Sequence, residues 1–166
     1  LTEKNYIEDF RDCNRMIFGG DSRDTHECIK ALSAVFPDKS YLQTDHKTAE
    51  MVKYFTNTFL AVKVSYANEM KEICDAIGLD YDEVKDLVLY DKRIGTSHLM
   101  VPGPDGDFGF GGTCFPKDIN ALMFFAEQND VNPLVMRAAW EKNLKVRKKK
   151  DWLSMLGRAI SELQKE

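Results

Sequence analysis

The sequence has no long apolar run. Nowhere do the ~18 uninterrupted apolar residues of a membrane-spanning helix occur, and no charged-then-apolar leader opens the chain, so we expect no membrane partner. Cysteine is sparse: Cys13, Cys28, Cys74 and Cys114 are scattered and form no C-x-x-C pair. That excludes a disulfide framework and a zinc site, and fits reduced thiols in a cytoplasmic protein. The three histidines, His26, His46 and His98, show no ligand spacing, so no metal is expected. No G-x-G-x-x-G follows a strand, so the chain has no dinucleotide fingerprint of its own. Neither charge sign dominates: 23 basic and 27 acidic residues give −4, which argues against a nucleic-acid partner.

The composition that remains is globular. In 166 residues, 43% are hydrophobic and 30% charged, enough for one domain with a real core. The chain opens on Leu1, and we expect a piece of something longer, or a processed product.

Three regions differ in pattern. In the first, the apolar run 15–18, closed by Gly19-Gly20, reads as a short strand. Asp21 and Ser22 are candidate N-caps for a helix whose Cys28, Ile29, Leu32, Val35 and Phe36 fall at helical spacing until Pro37. Residues 40–44 read as a second strand. This β-α-β piece is too small to hold a sheet alone and reads as the edge of a larger α/β domain.

In the second region, no Gly or Pro lies between Asp45 and Ile77. Met51, Phe55, Phe59, Val62, Tyr66, Ile73 and Ile77 form one stripe, which predicts a helix about three times the usual length, stopped by Gly78. Asp80 and Glu83 predict a capped second helix running to about Tyr90.

The third region holds five of the ten glycines, between Gly103 and Gly112, interleaved with Phe108 and Phe110. It reads as a structured loop. Helices follow from about Pro116 to Asn129 and from about Pro133 to Lys150, the latter ending in a solvated basic run, Lys148 to Lys150. A weakly specified helical stretch covers 152–163. The fold class is therefore mostly α, with a small α/β piece in front. We expect domain limits at 1–45, 46–150 and a tail at 151–166.

The chemistry concentrates in Gly109-Phe110-Gly111-Gly112-Thr113-Cys114-Phe115-Pro116-Lys117-Asp118. Glycines before a helix allow backbone N–H groups to converge on an anion. Cys114 stands at that helix start with Lys117 one turn on, a setting in which cysteine serves as a nucleophile. A buried cysteine at a loop-to-helix junction is the other reading. Asp118, four residues after Cys114, could orient a water or a proton carrier, or could simply favour the helix dipole. Lys53 and Asn57 share a face of the long helix off the apolar stripe, together with Ala61, Ser65 and Asn68. They could stabilise an oxyanion or lie on a solvated face.

These stretches resemble motifs of the UDP-glucose/GDP-mannose dehydrogenase family, of the UDP-glucose type. The 109–118 run is similar to that family's active-site cysteine motif, and Lys53-Tyr54-Phe55-Thr56-Asn57-Thr58-Phe59-Leu60-Ala61 is similar to its lysine–asparagine helix. Asp91-Lys92-Arg93-Ile94-Gly95 matches a third motif, and the likeness covers roughly residues 1 to 147.

The resemblance implies a central dimerisation domain built on a long helix, preceded by a remnant of a Rossmann-like domain. The implied enzyme oxidises the sugar C6 alcohol of UDP-glucose to a carboxylate in two steps, with NAD as cofactor. Cys114 would be the nucleophile, carrying a thiohemiacetal and then a thioester. Lys53 would stabilise the oxyanion, and Asn57 and Asp118 would position water and move protons. Arg93 would reach the substrate of the neighbouring subunit of a homodimer, and Phe110 and Gly111 would line the UDP-sugar site. Cys114 and Lys117 would approach the nicotinamide. Leu1-Thr2-Glu3 resembles the end of a P-E-F-L segment, which makes Leu1 and Glu3 substrate contacts and puts the family's catalytic glutamate just before them. The loop Met100 to Asp107 is longer than in short family members, and the stretch after Lys150 does not show the strand that would open a last domain. Two alternatives stand beside this reading: a dehydrogenase of GDP-mannose or a UDP-N-acetylhexosamine, and a purely structural dimerisation module.

Overall fold

A computed structural model describes residues 6–155. They divide into two compact units, one up to Lys53 and one from Tyr54 onward.

In the first unit, helix α1 (Tyr6–Asp12) precedes strand β1 (Arg15–Gly19), helix α2 (Ser22–Ser33) and strand β2 (Ser40–Thr44). The sequence reading did not separate α1 from its surroundings. The two strands pair in parallel, from Arg15 opposite Ser40 to Gly19 opposite Thr44. A parallel pair needs a crossover, and α2 supplies it. Asp21 caps α2 as expected, accepting from the Arg23 amide. The helix ends at Ser33, before the proline, and Val35 and Cys28 face outward, so the expected apolar stripe is only partly inside.

Helix α3 (His46–Ala76) runs 31 residues, and Gly78 follows it with φ +74. Helix α4 (Tyr81–Val88) has Asp80 as its N-cap, accepting from the Asp82 amide. Helix α5 (Cys114–Gln128) starts two residues earlier than Pro116 suggested, so proline occupies the third position of the first turn. Helix α6 (Leu134–Val146) stops short of the basic run. Lys148 to Lys150 are solvated but lie beyond the helix. A 3-10 turn (Asp151–Ser154) closes the described chain. The fold is mostly α with a small α/β piece, as the sequence predicts. No described helix is long and apolar enough to cross a membrane.

The second unit packs around the small-residue face of α3. Ala61 and Val64 meet Phe110, Ile119 and Ala139 in one cluster; Ala67 and Cys74 meet Tyr81, Leu99 and Val101 in another. Small side chains let helices approach closely, and the buried Ser65 hydroxyl donates to the Ala139 carbonyl at 2.7 Å. The large residues lie on the other side: Phe55 is 68% exposed and Phe59 60%. The stripe that predicts the helix is therefore not this unit's core. Trp152 joins the core instead, its ring 5.4 Å from that of Trp140.

Candidate active site

The glycine-rich loop delivers Cys114 as the first residue of α5, with its side chain exposed. That disposes of the buried-junction reading. Its sulfur lies 3.8 Å from the Thr113 hydroxyl. One turn on, Asp118 is fully buried. The Asn57 amide reaches it from α3, donating to Oδ2 at 2.5 Å, and the Lys117 ammonium pairs with Oδ1. Burial pulls the Lys117 ammonium down, but the hydrogen bond and charge of Asp118 outweigh it, aided by Tyr54 and Cys114, so lysine is held above its ordinary range. Asn57, Lys117, Asp118 and Cys114 thus form one polar cluster at the start of α5. Lys53 lies one turn before Asn57 on the same helix and is exposed.

The loop is held by side chains that sequence reasoning missed. Asn143, fully buried on α6, accepts from the Phe110 amide at 2.7 Å and donates to the Phe110 carbonyl at 3.0 Å. Asn68 of α3 accepts from the Gly109 amide, and Asp151 from the Gly112 amide. This corrects the expectation that the loop amides converge on an anion. Three of them are engaged internally, so the loop is a rigid bracket for the cysteine. At Gly111 a Cβ would overlap the Arg147 guanidinium, so a larger residue would have to displace that enclosed side chain.

Other expected site residues are placed differently. The Phe110 ring is buried against Phe115 and Trp140, and its amide and carbonyl are engaged by Asn143, so here Phe110 packs and anchors the loop. Arg93 is exposed and folds back in a fork onto Asp91. The carbonyls beside it, at Ile94 and Gly95, accept from Lys63 at 3.0 and 2.9 Å. Leu1 and Glu3 lie outside the described residues. No metal-binding group occurs among the described residues.

Asp105 and Asp107 face Arg147, whose side chain is 2% exposed. Burial raises the Asp105 carboxyl, but hydrogen bonds from Arg147 and the Asp107 amide, with the guanidinium charge, hold it below its ordinary value. The Lys149 amide leads in lowering Asp107, against a smaller opposing effect of burial, with Arg147 adding to it. A lowered folded pKa gives stability that is complete above the unfolded value of ~3.9 and lost as pH falls through the folded value. The urea midpoint should therefore fall below about pH 4, with a shallower fall in Arg147→Met. An equal slope in the variant would show that this cluster does not govern acid stability.

Geometrically, this is a helical domain arranged to present one exposed thiol beside a buried, paired carboxylate. Residues 47–145 match the UDP-glucose/GDP-mannose dehydrogenase family, central domain. A UDP-glucose 6-dehydrogenase of Rickettsia bellii is 36% identical over 145 residues, which cover 86% of this chain and 32% of that protein. The solved structure of a UDP-glucose dehydrogenase from the hyperthermophilic archaeon Pyrobaculum islandicum is 35% identical with a TM-score of 0.75, covering 84% of this chain and 31% of that one. A ternary complex of GDP-mannose dehydrogenase from Pseudomonas aeruginosa is 30% identical with a TM-score of 0.52, covering 88% and 33%. The chain belongs to the UDP-glucose/GDP-mannose dehydrogenase family. It spans about a third of the length of the curated relatives it matches.

Proposed function

We propose that this domain carries the covalent half of a UDP-glucose 6-dehydrogenase reaction, with Cys114 as nucleophile. The observation that carries the reading is an exposed thiol opening α5 beside a buried Asp118 tied to both Asn57 and Lys117. The Cys114 sulfur adds to the C6 aldehyde carbon, giving a thiohemiacetal that keeps a reactive aldehyde oriented; loss of a hydride and of the hydroxyl proton from it leaves a thioester, which water then hydrolyses to the carboxylate and the free thiol. Lys53 stabilises the oxyanion at C6. Asn57 and Asp118 hold the water, and Asp118 takes its proton. Arg93 reaches the substrate of a neighbouring subunit.

The hydride acceptor implied by the family is NAD⁺. The described residues do not make a cradle for its phosphates: the sequence has no glycine fingerprint, and amides of the glycine-rich loop are engaged by Asn68, Asn143 and Asp151. A separate dinucleotide-binding domain has to supply that site, and the 166 residues alone should yield no NADH. In a protein carrying both domains, two NADH per UDP-glucose would support the reading. Turnover of GDP-mannose or a UDP-N-acetylhexosamine instead would move the specificity; no turnover of any would leave a structural module.

The exposed row on α3 supports a homodimer. Phe55 and Phe59 stack at 6.5 Å between centroids, in line with Met51, Tyr66 and Ile73, and apolar patches of this kind mark interaction surfaces. Phe59→Asp should raise the dimer dissociation constant by at least about 30-fold without unfolding the protein. Sedimentation velocity checks this, and an undisturbed dimer would place the interface elsewhere.

A further inference from the structure

The reaction proposed above uses Cys114, Asn57, Asp118, Lys53 and Arg93, and leaves a buried cation among the described residues without a task. Arg147 is the first residue past α6, with extended backbone, and its side chain is almost wholly enclosed. Its terminal nitrogen lies 2.7 Å from Asp105 Oδ2 and 3.5 Å from Asp151 Oδ1, while Nε lies 3.7 Å from Asp107 Oδ2 and donates to the Lys149 carbonyl at 2.8 Å. Enclosing a guanidinium among three carboxylates adds less stability than apolar packing of the same volume would, so the arrangement calls for a geometric role.

The geometry shows what that role is. Asp151 faces Arg147 with one oxygen, and with the other it accepts the Gly112 amide at 3.0 Å. Gly112 has φ +72 and lies two residues before Cys114, at the turn that launches α5. A Cβ at Gly111 would run into the same guanidinium. A single enclosed cation therefore joins the 105–107 loop, the 3-10 turn at 151–154 and the peptide that sets the first turn of α5.

We propose that Asp151, oriented by Arg147, is a positioning residue for Cys114. It fixes the Gly112 peptide and so keeps the first turn of α5 wound, with its N-terminal N–H groups gathered at the sulfur. Without the tie that turn frays and the sulfur loses the positive end of the helix. The proposal deepens the reading of Cys114 as nucleophile, but its test measures the setting of the sulfur whether or not a sugar ever reaches it.

The test is iodoacetamide labelling of the whole chain at neutral pH, read by peptide mass spectrometry at Cys114 and, as an internal reference, at the exposed Cys28 of α2. Asp151→Ala should lower the Cys114-to-Cys28 rate ratio about fivefold, the size of a helix-terminus effect. Asp151→Asn keeps an acceptor for the Gly112 amide and should restore most of the ratio; a general loss of stability would not separate these two variants. A ratio unchanged in folded Asp151→Ala, or no better in Asp151→Asn, overturns the proposal. Should Asp151→Ala fail to fold, Asp151→Asn and Asp105→Asn decide. A near-normal ratio in both upholds the tie to Gly112. An equal fall in both would mean that the charge balance around Arg147 governs the sulfur, and would overturn it. Protection of Cys114 by UDP-glucose, measured alongside in a protein that also carries the dinucleotide domain, tests the catalytic reading separately.

Discussion

Cys114→Ser should lower formation of the C6 carboxylate from UDP-glucose by at least about 1,000-fold in a protein that joins this domain to a dinucleotide-binding one. The size follows from the chemistry. A serine hydroxyl is a far weaker nucleophile than a thiol at neutral pH, and an aldehyde not held covalently escapes or hydrates before a second oxidation. Stability should hardly change, because the Cys114 side chain is exposed. The variant should therefore melt with the parent. It should also release aldehyde that hydroxylamine traps, because the first oxidation does not require the sulfur. Retention of more than a tenth of parental carboxylate formation would remove Cys114 from the nucleophile's role. A large fall in melting temperature would assign it a structural one.

The local signals in the sequence transferred well to the structure, and the long-range ones were not legible there. Strand limits near 15–18 and 40–44, the Asp21 and Asp80 caps and the extent of α3 all depend on neighbouring residues, and the structure has them. Which face of α3 is inside depends on what packs against it. Periodicity selects the largest apolar side chains, whereas close helix packing selects small ones. Ala61, Ser65, Ala67 and Asn68 are therefore inside, and Phe55, Phe59 and Tyr66 outside. The same limit hid the loop bracket. Asn68 and Asn143 bond loop peptides 41 and 33 residues away, and no local pattern announces such partners. Arg147 stands beside three lysines and looks like one more solvated cation until its three carboxylates come together around it. A buried polar residue at a helix end was the available signal, and it needs the fold to be read. At the candidate site, motif spacing brought together Cys114, Lys117 and Asp118 on one helix. Only the fold joins Asn57 to Asp118 from another.

Lys117→Met should destabilise the domain by about 2 kcal/mol, and adding Asp118→Asn should return at least half of that loss. Asp118 is fully buried, so removing the cation beside it leaves an enclosed carboxylate with less compensation; truncating one partner of a buried pair costs more than the pair contributes. The figure lies below the usual range for a buried pair because the Lys117 side chain is 38% exposed and water takes over part of its role. The neutral amide that Asp118→Asn introduces would carry no charge to enclose and could still bond to Asn57, so the double variant should recover. The folded lysine pKa is raised, so its contribution is complete at neutral pH and fades only as pH climbs past the ordinary lysine range of ~10.4. Urea unfolding at pH 7 and again near pH 11 therefore separates the two effects. The gap between parent and Lys117→Met should narrow at the higher pH, while the gap between Lys117→Met and the double variant stays open. If the double variant is no more stable than Lys117→Met, Asp118 is held mainly by Asn57 and its other partners, and the lysine serves the chemistry at Cys114 and not the fold.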